Sequence, residues 1–169
     1  MKTWMFNQLV IASVLVFLIS QAGAGNSEGE LTVPEATDFA LLSLQSSQQD
    51  LPILIMYAAE YCEYCERLEA EVLGPMHQSG QYLNQAIIRK VMIDRVGNIR
   101  DFNGQPIDAE KFADDRGVQV TPTLHFVDAR GNQLVPAMVG YNTPEMYAGY
   151  VENAISKSRN AILSAELTQ

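Results

Sequence analysis

The sequence predicts an α/β domain with a mixed central sheet flanked by helices, and three observations carry that prediction. Leu51-Pro52-Ile53-Leu54-Ile55-Met56-Tyr57 is an apolar run of strand length behind the turn-forming Asp50. Helix-forming and strand-forming stretches then alternate over residues 63–73, 87–94 and 109–116, which is the plan of an α/β chain. Residues 123–127 and 133–139 flank the turn Ala129-Arg130-Gly131-Asn132 and read as a hairpin, which adds antiparallel strands to the sheet.

Residues 1–24 read as a signal peptide. Met1-Lys2 gives a minimal positive start, residues 9–19 an apolar core, and Ala22-Gly23-Ala24 the small-x-small pattern of a cleavage site. The apolar core is shorter than the roughly 20 residues of a spanning helix, so no membrane span is expected after cleavage. Cleavage removes Lys2 and takes the formal charge from −9 to −10. So acidic a chain is ill suited to nucleic acid or to an anionic membrane surface. Residues 25–33 read as a flexible polar lead, and residues 34–165 as one folded domain.

Within that domain, Pro34 is placed to open a helix running to Gln49, with Ala36, Phe39 and Leu42 on one side. The apolar strand follows, then a helix from Glu63 that Gly74-Pro75 should kink or break before residues 76–85 resume. Residues 87–94 form the next strand, and residues 96–106, with two Gly-Asn or Asn-Gly pairs, a loop or small hairpin. Asp108 caps a short helix that stops at Gly117. After the hairpin, Thr143 stands as N-cap and Pro144 at the first position of the last helix, residues 146–163.

The chemistry lies in Tyr61-Cys62-Glu63-Tyr64-Cys65, which holds the only two cysteines of the sequence. A helix that opens on C-x-x-C directly after a buried strand is a redox arrangement. Residues three apart share a helix face, with Cβ atoms roughly 5–6 Å apart, so a disulfide closes with little backbone movement. Cys62 sits at the helix start, where unsatisfied N–H groups and the dipole favour a thiolate, and is expected to attack. Cys65, one turn in, is expected to be buried and to resolve. A structural disulfide or half of a zinc site are the alternatives. So short a loop gains little from closure, and a zinc site wants four ligands, for which His77 and His125 are the remaining candidates.

Taken together, these pieces resemble the periplasmic thioredoxin-like proteins, in pattern the SoxW-type thioredoxins, which are related to the C-terminal domain of the DsbD reductase. The resemblance spans about residues 51–156. It rests on Ala59-Glu60-x-Cys62-x-x-Cys65 and Ile93-Asp94, then Gly117-Val118-x-Val120-Thr121-Pro122-Thr123, Phe126-x-Asp128-x-x-Gly131 and Gly140-Tyr141. The segment 96–108 is longer than in plain thioredoxins and points to the SoxW-like branch. The resemblance implies a thioredoxin-like fold and an exported, periplasmic thiol–disulfide oxidoreductase that uses Cys62 and Cys65 and no separate cofactor. Protein or small-molecule disulfides are the expected substrates, a disulfide-containing protein foremost, and a reductase working in an oxidising compartment is expected to need a membrane electron donor of the DsbD type. The bond between Thr121 and Pro122 is implied to be cis and to lie beside the cysteines, with Thr121 offering its backbone to an extended substrate segment.

One position departs from the family. Met56 stands where thioredoxins place a buried Asp that assists proton transfer at the resolving cysteine. Either the proton transfer is slower there, or a water or another group takes over, Glu60 being the nearest. Glu60, Glu63 and Glu66 also disfavour a further negative charge on Cys62, which predicts a reductase rather than a strong oxidant. The competing function is metal handling, of copper or zinc, by the two thiolates. Of the remaining residues, Glu63/Arg67 and Arg67/Glu71 read as a solvated helix face. His125 reads as a packed strand residue, and Tyr141, Tyr147 and Tyr150 as packing around the last helix. Tyr61 and Tyr64 read as a contact rim beside the cysteines.

Overall fold

The structure is a computed structural model and describes residues 32–167. The expected signal peptide, residues 1–24, and residues 25–31 of the expected lead lie outside them. Along the chain the elements are α1 (Phe39–Gln49), β1 (Ile53–Ala58), α2 (Glu63–Leu68), a π-helical turn (Glu69–Leu73) and α3 (Gly74–Gln78). There follow β2 (Ile87–Met92), β3 (Asn98–Arg100), β4 (Pro106–Asp108), α4 (Ala109–Asp114), β5 (Thr123–Val127), β6 (Met138–Val139) and α5 (Pro144–Glu166).

The main sheet has the order β2-β1-β5-β6. β1 runs parallel to β2 and antiparallel to β5, and β6 is antiparallel to β5, so the sheet is mixed as the sequence predicts. β3 and β4 form a separate small hairpin. All six residues of β1 are buried, which is why that strand reads as an unbroken apolar run rather than an alternating one. Leu54, Met56 and Ala58 enter one core with Cys65, Leu68, Phe126 and Val151. Ile53, Ile55 and Tyr57 enter the other with Phe39, Phe112 and Val118. Each large apolar side chain taken out of water in these layers stabilises the fold by about 1.5–3 kcal/mol.

Four expectations are corrected. α1 starts at Phe39, not at Pro34. Asp38 is its N-cap and accepts from the Leu41 N–H at 3.0 Å, whereas residues 34–36 run along the edge of β2. There the Pro34 carbonyl accepts from Lys90 N–H at 3.0 Å and Ala36 N–H donates to Lys90 O at 2.7 Å.

Gly74-Pro75 does not break its helix. The backbone widens into the π turn, where Gly74 N–H donates to Glu69 O, and α3 follows without interruption. Proline lacks a donor and its ring crowds the carbonyl four residues back, here that of Glu71. A π turn relieves both.

The second hairpin strand is cut from residues 133–139 to Met138–Val139, with Gln133 making an isolated bridge to Val127. Pro136 lies between and has no N–H to give the ladder. Thr143 does stand at the N-cap of α5, but in the left-handed region at φ 51°. Its hydroxyl bonds Asn142 O instead of capping.

His125 lies on the Tyr57 side of the sheet, opposite Ile55 in register. It is buried, with its ring edge-on to Tyr57 at 5.0 Å between centroids. Burial first, and the Arg116 charge second, hold its imidazole below the usual range. The unfolded chain therefore binds more protons between that lowered value and about 6.5. This contribution to stability is complete above about pH 6.5 and is lost as pH falls below it. Urea midpoints should fall between about pH 6.5 and pH 5.5, and His125→Gln should flatten that fall. An unchanged slope in the variant would place the acid sensitivity on other groups.

Candidate active site

The site begins where β1 ends. Ile93 N–H donates to Ala58 O at 2.9 Å, and Glu60 N–H to the Asp94 carboxylate at 2.8 Å. These bonds tie the connecting turn to the end of β2. Arg95 adds a clamp: its guanidinium meets Glu60 at 3.2 Å and Glu35 at 2.5 Å. Tyr61 then takes the left-handed conformation at φ 58°, uncommon for a side chain of this size, and this reversal aims the chain into α2. Its ring projects outward, 98% exposed.

Cys62 is the N-cap of α2, with extended backbone, and its carbonyl receives Glu66 N–H at 3.1 Å. Its sulfur takes the place of a capping oxygen and accepts from Cys65 N–H at 3.3 Å. Cys62 and Cys65 are joined in a disulfide, 5.2 Å between Cα atoms. Cys62 is partly exposed, whereas Cys65 is buried.

Thr121 approaches from the other side of the site. The Thr121–Pro122 peptide bond is cis, as the resemblance implies. The Thr121 hydroxyl donates to Cys62 Sγ at 3.5 Å. Behind it Pro122 is buried, and its carbonyl accepts from Gly140 N–H at 2.8 Å, which fixes this loop to the end of β6. Cys62, Cys65 and Thr121 thus meet at one place, with Pro122 as the support of Thr121. Tyr64 and Val120, each beside a site residue, leave 56% and 51% of their surface exposed, so the disulfide opens onto a partly apolar surface.

Arg67 and Glu71 are more than a solvated face. They pair at 3.1 Å, Glu71 accepts from the Tyr141 hydroxyl, and the Arg67 guanidinium lies 5.5 Å from the Tyr141 ring centre. The Tyr141 hydrogen bond first, then Arg67, hold the Glu71 carboxyl below the usual range. This group joins the redox helix to the segment that leads into α5.

Behind the disulfide lies a cleft of about 510 Å³ to which Ala58, Cys65, Glu69, Lys90 and Met92 contribute. Glu69 and Lys90 pair in it at 2.8 Å. Neither residue belongs to a motif of the sequence. A signal was present, because Lys90 stands between Ile88 and Met92 on the disulfide side of the sheet, a position that alternation gives to apolar residues. Glu60, the sequence candidate for proton exchange, is instead exposed and held by Arg95. His125 lies across the sheet from Cys65. Among the described residues no three His, Cys, Asp or Glu side chains are grouped so as to hold a metal ion. Nor is any described helix long and apolar enough to cross a membrane.

A parallel β-α-β unit, an antiparallel hairpin and a C-x-x-C disulfide at a helix start define a thioredoxin-fold disulfide protein. Residues 44–155 match the thioredoxin-like domain family, and the chain belongs to it. No curated protein matches by sequence. Among solved structures, a chain from work on thiol resolution in yeast mitochondrial 1-Cys peroxiredoxin via glutathione/thioredoxin systems is 16% identical with a TM-score of 0.50. That match covers 73% of this chain and 97% of the other. Oxidised mitochondrial thioredoxin 3 of Saccharomyces cerevisiae is 17% identical with a TM-score of 0.49, over 72% and 94% of the two chains. The N21Q thioredoxin of Halobacterium salinarum is 19% identical with a TM-score of 0.49, over 75% and 93%. At these identities the likeness is one of fold alone.

The difference in exposure sets an expected order of reaction. After reduction, iodoacetamide near neutral pH should alkylate Cys62 first, read by peptide mass, because Cys65 is 4% exposed. Faster labelling of Cys65 would reverse the roles of the two thiols.

Proposed function

We propose that the protein is an exported thiol–disulfide oxidoreductase that works as a reductase of protein disulfides. The observation that carries this reading is the Cys62–Cys65 disulfide at the start of a helix in a thioredoxin-like domain, one sulfur accessible and the other buried. In the dithiol state the Cys62 thiolate attacks a partner disulfide and forms a mixed disulfide. Cys65 then displaces the partner thiol. Thr121 and Pro122 form the edge on which an extended partner segment lies by strand addition, and Tyr61, Tyr64 and Val120 supply its apolar contacts.

The direction follows from the balance of charge at Cys62. The helix start and the donors Cys65 N–H and Thr121 Oγ1 stabilise a thiolate. The exposed Glu63 and Glu66 oppose it, while the charge of Glu60 is offset in part by Arg95, which it shares with Glu35. A thiolate stabilised only in part makes the dithiol a donor rather than a strong oxidant. In the periplasm, where the signal peptide would direct the chain, such a donor needs recharging, and a membrane reductant of the DsbD kind fits that role.

Equilibration with glutathione buffers tests the direction. The expected potential lies nearer the roughly −270 mV of thioredoxin than the roughly −120 mV of the strongest periplasmic oxidants. A value near the latter would overturn the reductase reading. In parallel, a Cys65→Ser variant should accumulate mixed disulfides through Cys62, and their absence would remove the attacking role.

A further inference from the structure

Resolution of a mixed disulfide requires Cys65 to give up its proton, because the thiolate and not the thiol attacks. Cys65 is buried, so bulk water reaches it poorly. Met56, in the same core layer and fully buried, has no group that takes a proton.

The cleft beside Cys65 supplies one. Glu69 N–H donates to Cys65 O, one helical turn on, so the two side chains share a helix face. The Glu69 carboxylate accepts from Lys90 Nζ through both oxygens, at 2.8 and 2.9 Å, and from Val33 N–H. The pair is largely withdrawn from solvent, the side chains of Lys90 and Glu69 being 18% and 15% exposed. Lys90 is also the register partner of Met56, which places its stem on the strand position next to the missing acid. The other charged groups on the cleft are Glu60, Glu66 and Arg95. Glu60 and Arg95 are exposed and bind each other, and Glu66 is exposed. Glu69 is therefore the one carboxylate on the cleft held inside it.

We propose that Glu69, paired with Lys90, takes the proton from Cys65 during resolution and replaces the acid that position 56 lacks. This inference rests on the redox reading above and names the residues that complete it. In the step, the Cys65 thiol proton passes to a Glu69 carboxylate oxygen, directly or through one water. The sulfur electron pair forms the Cys62–Cys65 bond while the bond from Cys62 to the partner sulfur breaks. The partner departs as a thiolate and is protonated by solvent. The dithiol loses two electrons and the partner disulfide gains them. One negative charge moves from Glu69 to Cys65, and Lys90 compensates it in both places. Lys90 is thus a positioning residue.

The test uses the reduced full chain and one equivalent of the chromogenic disulfide 5,5′-dithiobis(2-nitrobenzoate). The first thionitrobenzoate released reports attack by Cys62, and the second reports resolution by Cys65. Glu69→Gln, which keeps an acceptor for Val33 N–H, should slow the second release about 10²-fold at neutral pH and leave the first unchanged. Its second phase should then rise about tenfold per pH unit, as expected when hydroxide supplies the base, and Glu69→Asp should restore most of the rate. Lys90→Met retains the carboxylate and should move the inflection of the second phase upward by about one pH unit, since the thiolate loses its counter-charge. A second phase at the wild-type rate in Glu69→Gln overturns the inference, as does equal slowing of both phases. If Glu69→Gln does not fold, an unmoved inflection in Lys90→Met overturns it. A wild-type protein that releases one equivalent only removes the redox reading itself, an outcome distinct from the others.

Discussion

The constraint on which this structure depends is the burial of β1 on both faces and both edges. A strand with β2 on one side, β5 on the other and an apolar layer above and below has no freedom of register. Slipping it by one residue would exchange Leu54, Met56 and Ala58 for Ile53, Ile55 and Tyr57 between two layers of different shape. The end of β1 is therefore fixed, and so is the turn that follows it. The Asp94 carboxylate on Glu60 N–H and the left-handed Tyr61 carry that fixed position into the first turn of α2. The location of Cys62 is set by core packing more than by any interaction of its own.

This dependence explains what could be read from the sequence. The apolar run, the C-x-x-C after it, the short helix capped by Asp108 and the strand before the last turn are local signals, and local signals survive folding. The candidate site residues Cys62, Cys65, Thr121 and Pro122 lie on such segments. Other features depend on distant partners. The entry segment 34–36 holds helix-compatible residues, yet it pairs along the edge of β2 because Lys90 offers it a free carbonyl and N–H. Pro75 signals a helix end, but the packing of Leu73, Gly74 and Met76 into the core outweighs that signal. Glu69 and Lys90 are 21 residues apart in the chain. Nothing short of the β1–β2 register and the helix face brings them together.

The surroundings of Cys62 and Cys65 differ in kind. Cys62 meets donors, a helix terminus and solvent, and its nearby carboxylates are exposed and screened. Its chemistry is tuned by fixed dipoles and one hydroxyl. Cys65 lies among apolar side chains and lines the cleft that holds one ion pair largely withdrawn from water. In such a setting a charge interacts more strongly with its neighbours than at the surface, and an uncompensated one is costly. The proposed reaction, in which the two thiols ionise in sequence, would be served by this asymmetry.

The π turn contributes to the same end. In a regular α-helix, Cys65, Leu68, Glu69, Val72 and Leu73 would form one face and Gly74 would already turn away. The wider turn over Glu69–Leu73 adds a residue to the circuit, so Val72, Leu73 and Gly74 are all buried in succession. The helix is anchored there, just beyond Glu69, by three consecutive core residues. Glu71, on the outer side of the same turn, is held by Arg67 and Tyr141. Two glutamates two residues apart are thus directed to opposite sides of one helix, Glu69 to the cleft behind the disulfide and Glu71 to the loop before α5. Pro75, a helix-ending signal in the sequence, instead follows a π turn that lets the helix hold both.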